Sequence, residues 1–286
     1  MCPDGSDVSA TAASAPAPQT RPPATEALAG SALANLTALP LLPADTVTSF
    51  GPTLVLAPHP DDETLACGGL LALLAARGIP VAVLVLTDGR ASHIGSRRYP
   101  PAALDALRKC ELLAAVAQLG LPANAVTWLD MPDAHAPTLA KSTPEAFAAG
   151  VTQLVAALRA LPFRPQTIWA PWQREPHTDH RAAWELLQAA LASDALADWQ
   201  PRVIAWPLWV LHIPKPGDPP LPDEVNVWRL DISDALPQKQ AAIAEYVSQV
   251  TALIDDADKP WHLPAAVLAF HTQPWELGID VLEDAR

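Results

Sequence analysis

Short apolar runs alternating with helix-length segments restrict this chain to few architectures. Thr53–Ala57, Val81–Thr87, Val126–Leu129 and Thr167–Ala170 are brief and largely apolar, without the polar alternation of a half-exposed strand. Such runs are strands buried on both faces, the habit of a parallel sheet covered by helices. Between and after them lie Thr64–Arg77, Leu104–Leu119, Pro144–Leu161 and Arg181–Ala192, each of helical length. Gly120 stops the second of these as a glycine C-cap would. The order predicts βαβ units and a three-layer α/β/α fold with a mostly parallel sheet. Val203–Val210 and Val225–Asp231 read as further strands, and Leu236–Ile254 as one long closing helix.

Residues 1–48 have another character: Ala, Pro, Ser and Thr dominate and aromatic residues are almost absent. Burial there cannot offset ordering entropy, so 1–48 is expected to be a disordered tail, with room for a short helix in Glu26–Leu42. Residues 49–286 then form a single domain. The chain carries 18 basic and 31 acidic residues, a net charge of −13, which argues against nucleic acid or an anionic membrane as partner. No apolar stretch reaches the roughly 20 residues that span a bilayer, and no signal-peptide pattern is present. Cys2, Cys67 and Cys110 make no disulfide framework, and a cytoplasmic setting is expected.

The chemistry concentrates in two clusters, each just after a predicted core strand and before a helix. Ligands bind at such carboxyl ends in an open parallel sheet. In Pro58-His59-Pro60-Asp61-Asp62-Glu63, His59 and Asp62 are three apart and can converge on one ion from a tight turn. Asp61 then points elsewhere and stays free. A cation would relieve the repulsion between the adjacent carboxylates. Glu175-Pro176-His177-Thr178-Asp179-His180 supplies a third ligand, His180, completing a His₂Asp set with an open position, as in catalytic zinc sites. The bland alternative is local capping, with Asp61 or Asp62 as the N-cap of the following helix.

Pro58–Glu63 with Leu65–Gly69, and His177–His180, resemble the two leading motifs of the PIG-L/LmbE-like N-deacetylase family. Thr87-Asp88-Gly89, Arg108, Glu111, Lys239 and Ser248-Gln249 add to the likeness, which spans about residues 53–255. The resemblance implies a Rossmann-like fold. It also implies a metal-dependent hydrolase that removes an N-acetyl or other N-acyl group from a small amino sugar or its conjugate. His59, Asp62 and His180 would hold Zn²⁺, or another divalent ion such as Fe²⁺. Asp61 would be the general base. His177 would polarise the carbonyl, stabilise the oxyanion or protonate the leaving amine, and Asp179 would orient His177. Glu175 stands where aspartate is commoner and Thr178 where proline is. The arginine-bearing glycine-rich loop of thiol-pathway members gives way to Arg90, His93 and Arg97, with Arg90 the candidate substrate contact.

Rival readings are weaker. A two-metal phosphohydrolase would need more carboxylates than Glu175 and Asp88 provide. A dinucleotide fold would need G-x-G-x-x-G after the first strand, where this chain has acidic residues. An inactive metal- and sugar-binding protein would be marked by loss of Asp61 or His177, and both are present. Trp172 could stack on a sugar or pack in the core.

Overall fold

The computed structural model describes residues 24–259 and 261–282. Eight strands form one mixed sheet in the order β1-β7-β8-β6-β5-β2-β3-β4. They are β1 (Leu41–Leu42), β2 (Thr53–Ala57), β3 (Val81–Thr87), β4 (Val126–Met131), β5 (Thr167–Pro171), β6 (Arg202–Trp206), β7 (Val225–Asp231) and β8 (Trp275–Val281). The helices are α1 (Ala24–Ala27), α2 (Asp62–Ala76), α3 (Pro101–Gln118), α4 (Pro144–Ala160), α5 (Thr178–Leu191), α6 (Leu236–Ala244), α7 (Val247–Val250) and α8 (Ala265–His271). None of them is long and apolar enough to cross a membrane.

β2, β3 and β5 are buried at every position, as their unbroken apolar runs require. Alternate residues feed two cores. Val55, Val83, Val85 and Trp169 join α2, α3 and α6 on one face. Leu54, Leu56, Leu84 and Ile168 join α4 and α5 on the other. Each such aliphatic side chain contributes about 1.5–3 kcal/mol. From β2 the chain winds outward through β3 and β4, then returns to β5 beside β2. The carboxyl ends of β2 and β5 therefore flank a topological switch point, where open α/β sheets place ligands.

α2 is buried on nearly all sides, and its middle is clamped rather than merely packed. Glu276 on β8 accepts from Gly69 N at 2.6 Å and Leu70 N at 2.8 Å. Lys239 Nζ donates to Glu276 at 2.7 Å and to Leu65 O at 2.9 Å. A Cβ at Gly69 would meet Ile232 at 2.6 Å, so glycine is what permits this approach. Removing one partner of such a buried pair costs about 3–5 kcal/mol. The helix that follows the first motif is thus held by a buried ion pair from β8 and α6.

Three expectations need correcting. The single closing helix is broken between α6 and α7: Tyr246 is buried with its hydroxyl on Glu63, and Ser248 N donates to Glu111 at 2.7 Å instead of continuing the helix. The strand expected over Val203–Val210 ends at Trp206, before Pro207. Residues 1–23 of the expected tail lie outside the described residues, but 24–48 are folded. Leu28, Leu33 and Val47 are buried, and β1 pairs in parallel with β7; the leucines spaced through this alanine-rich stretch supply the burial. β8 runs antiparallel between β6 and β7 and had no counterpart in the sequence reading.

Candidate metal centre and active site

The turn after β2 is unusual from its backbone outward. Asp61 occupies the N-cap position of α2 with φ 141°, a conformation that costs a non-glycine residue about 1–3 kcal/mol. Its side chain makes no cap hydrogen bond. The carboxylate pairs instead with Arg108 Nη2 at 3.1 Å and lines a cavity of about 610 Å³. Capping therefore does not account for Asp61. Arg108, from α3, is itself buried and also donates to Pro60 O and to Gly89 O at 3.3 Å, tying the motif to the loop after β3.

Asp62 and the two predicted histidine ligands converge. Asp62 Oδ2 lies 3.0 Å from His59 Nδ1 and 3.2 Å from His180 Nε2, and accepts from His59 N at 2.9 Å. Both His180 ring nitrogens are buried without a hydrogen bond of proper geometry. Ligands about 2.0–2.1 Å from a shared tetrahedral ion are roughly 3.3 Å apart, so each of the two Asp62–imidazole distances matches that of neighbouring ligands on one cation. Ring nitrogens, one from each of His59, His177 and His180, lie within 4.8 Å of one another, and so do ligand atoms of His59, Asp133 and Asp179, which gives two competing sets.

Without an ion, burial would lower both histidines, but their carboxylate contacts prevail. His180 is pushed up to about 9 by Asp62 and Glu175. His59 is raised well above its usual value by Asp133, Asp179 and Asp62. Burial would raise Asp62, yet His180 and His59 hold it well below the carboxylate range. These are the electrostatics of a carboxylate built to sit beside positive charge. Asp61 differs: burial pushes it up to about 8 against the opposing pull of Arg108.

The outer partners depart from the sequence reading. Asp179 does not orient His177 through its carboxylate. Asp179 Oδ2 contacts His59 Nε2 at 3.1 Å and accepts from Ala134 N at 2.7 Å; only the Asp179 main-chain N donates to His177 Nδ1, at 3.2 Å. The reason is geometric: His177 is the N-cap of α5, so residue 179 offers its amide, and its side chain turns toward β2. His177 Nδ1 is therefore an acceptor, and the proton of the neutral ring sits on Nε2. Burial and the charges of His59 and His180 press His177 down to about 3, keeping it neutral.

Two further carboxylates complete the set. Asp133, in the loop after β4, places Oδ1 3.3 Å from His59 Nε2, while its Oδ2 accepts from Ala91 N at 2.7 Å. The sequence reading missed it; its signal was another acidic residue just past a strand's carboxyl end. Glu175 Oε2 lies 3.2 Å from His180 Nδ1 and accepts from Trp209 N at 2.8 Å; its Oε1 takes Leu208 N at 2.9 Å. Gln249 lines the cavity too. Ser248 Oγ spends its one proton on Glu111, so Gln249 donates Nε2 to Ser248 Oγ at 2.8 Å and its Oε1 remains an unused acceptor. Arg90 is not among the cavity residues. It pairs with Asp105 at 3.0 Å and Asp88 at 3.4 Å, and Ala91 and Ser92 reach the cavity in its place. Trp172 is wholly buried with Nε1 on Asp218 O, a core residue.

The profile of PIG-L, GlcNAc-PI de-N-acetylase, matches residues 54–191, which hold both motifs. A 1D-myo-inositol 2-acetamido-2-deoxy-alpha-D-glucopyranoside deacetylase of Actinosynnema mirum is 30% identical over 249 residues, covering 74% of this chain and 85% of the relative. The chain belongs to the PIG-L family. Solved structures agree on the PIG-L fold. N,N'-diacetylchitobiose deacetylase from Pyrococcus horikoshii superposes with TM-score 0.57 at 18% identity, over 83% of this chain and 86% of that one. The 4-carboxy-2-hydroxymuconate hydratase of Pseudomonas putida gives 0.50 at 22% identity, over 70% and 80%. A deacetylase and a hydratase share the architecture, so reaction type must be argued from the site.

Proposed function

We propose that this protein is a zinc-dependent N-deacetylase that hydrolyses the N-acetyl group of an amino sugar or its conjugate. The observation that carries the reading is the meeting of Asp62 Oδ2 with His59 Nδ1 and His180 Nε2 beside a carboxylate, Asp61, that none of them uses. The named activity of the Actinosynnema mirum relative supports it. His59, Asp62 and His180 would hold the ion; two imidazoles and a carboxylate suit zinc, and ferrous iron is the nearest competitor. When bound there, a divalent ion supplies Lewis acidity toward the amide carbonyl and eases ionisation of water.

The chain's own groups do the rest. Asp61 takes a proton from the attacking water, with Arg108 fixing its carboxylate. The water oxygen bonds to the carbonyl carbon, and the carbonyl oxygen takes the negative charge. His177, neutral and protonated on Nε2, donates a hydrogen bond toward that oxyanion. Collapse breaks the C–N bond, and the proton held by Asp61 passes to the departing amine, leaving acetate and the free amino sugar.

The direct test is acetate release from a panel of N-acetylated amino sugars by zinc-loaded protein. Turnover should disappear with a chelator and return with zinc; metal-independent release, or none across the panel, would refute the assignment. A separate expectation concerns the outer carboxylates. Asp133→Asn and Glu175→Gln should each weaken metal affinity by about 10–100-fold, because each orients a ligand imidazole. Competition with a chromophoric chelator reads this without reference to activity.

A further inference from the structure

The chemical groups occupy only part of the cavity. Asp61 and Arg108 are nearly inaccessible, whereas Ile94 and Trp261, which also line it, are 67% and 37% exposed. Those two are among six large apolar side chains left exposed among the described residues. Trp209, Ile213 and Leu263 border the same space. The Trp209 and Trp261 indoles form a tilted pair on its lining, with ring centroids 6.5 Å apart and planes at 59°.

These side chains are held in place. Asp258 N donates to Ile94 O at 2.9 Å, and His93 Nε2 donates to Trp261 O at 2.8 Å. Asp256 accepts from Ser96 Oγ at 2.6 Å and from Arg97 N and Arg98 N at 3.0 Å. The loops carrying Ile94 and Trp261 are thus laced into one wall. Beside Trp261, Trp209 N is anchored on Glu175, the carboxylate that also faces His180. An apolar wall kept open to solvent by this many polar ties forgoes burial, and large exposed apolar surface in a cleft marks a binding site.

We propose that the outer part of the cavity is a subsite for an apolar substituent of the substrate, an aryl or alkyl group seated among Trp209, Ile213, Trp261 and Ile94. This rests on reading the inner part as an N-acyl amino-sugar hydrolase. A polyol would call for several converging polar groups, and this wall offers only Ser92, Asp258 and Lys259 beside its indoles and aliphatics. The apolar group can be carried at the anomeric carbon or as the acyl chain, and substrates separate the two.

The experiment compares kcat/KM for methyl 2-acetamido-2-deoxyglucoside, its phenyl counterpart and N-octanoylglucosamine. One of the two apolar substrates should exceed the methyl glycoside by about tenfold, worth about 1.4 kcal/mol. The favoured one identifies which end of the sugar faces the wall. In Trp261→Ala the ratio should collapse toward one. Equal values in the unaltered protein would overturn the subsite while leaving deacetylation intact. If none of the three is hydrolysed, the deacetylase reading fails and binding decides the subsite. Tighter binding of an apolar compound than of the methyl glycoside, followed by tryptophan fluorescence and lost in Trp261→Ala, would uphold it; equal binding would overturn it.

Discussion

Asp61→Asn is expected to lower kcat by about 10²–10⁴-fold, the usual worth of a positioned general base, while leaving bound metal at full stoichiometry. Asparagine is the informative replacement because it has the shape of the aspartate that already holds φ 141° at this position and keeps a carboxamide in the carboxylate's place. Arg108 keeps its bonds to Pro60 O and Gly89 O, so the turn should survive. A second readout separates this from structural damage. In the metal-free protein Asp61 is raised to about 8, chiefly by burial. A carboxyl whose folded pKa exceeds its unfolded value binds more protons folded than unfolded, so its contribution to stability falls as pH rises between the two. Asp61→Asn should therefore raise the melting temperature of metal-free protein near neutral pH while depressing turnover. Full activity would remove Asp61 from the mechanism. Metal loss would make it a ligand.

Much of this site was legible because its ligands sit in two short segments whose placement follows from local pattern. An apolar run ending in Pro58-His59 must be a strand delivering its next residues to the sheet's carboxyl end, and Thr167–Ala170 makes the same statement for His177–His180. The parallel pairing of β2 with β5 then brings the clusters together. What was not legible depends on side chains meeting from distant loops. Asp133 reaches His59 only because the turn after β4 folds back over β2. The family resemblance implied His177 as the partner of Asp179, whereas capping by His177 takes the amide of residue 179 and leaves its carboxylate on His59. Arg90 lost its expected role to Asp105, a helix residue that sequence spacing does not connect with it. The break after α6 likewise came from tertiary demand: Glu111 takes Ser248 N and Oγ, outweighing the continuous helical pattern.

His180→Ala should abolish metal binding, and with it turnover, whereas His177→Ala should retain the metal and lose about 10²–10³-fold in kcat, the usual cost of an oxyanion donor. His177→Ala decides between the two sets that include His180, one with Asp62 and one with His177, while His180→Ala tests them both against the third set within reach, His59 with Asp133 and Asp179. Three features favour His180. It is wholly buried between two carboxylates, Asp62 and Glu175, each 3.2 Å from one of its nitrogens. Neither nitrogen has a satisfying hydrogen bond. His177, by contrast, already commits Nδ1 to the start of α5 and needs Nε2 for the substrate. Removing the imidazole of His180 leaves Asp62 without one of the two partners that keep it ionised, so the lost affinity should exceed the roughly 10–100-fold expected for an outer carboxylate. Glu175 retains its bonds to Leu208, Trp209 and Val210 main chain, which should preserve the fold, checked by circular dichroism. Should His177→Ala lose the metal, the all-imidazole set holds it and the oxyanion role given to His177 falls; should His180→Ala keep the metal, His180 is no ligand and the set of His59, Asp133 and Asp179 takes its place.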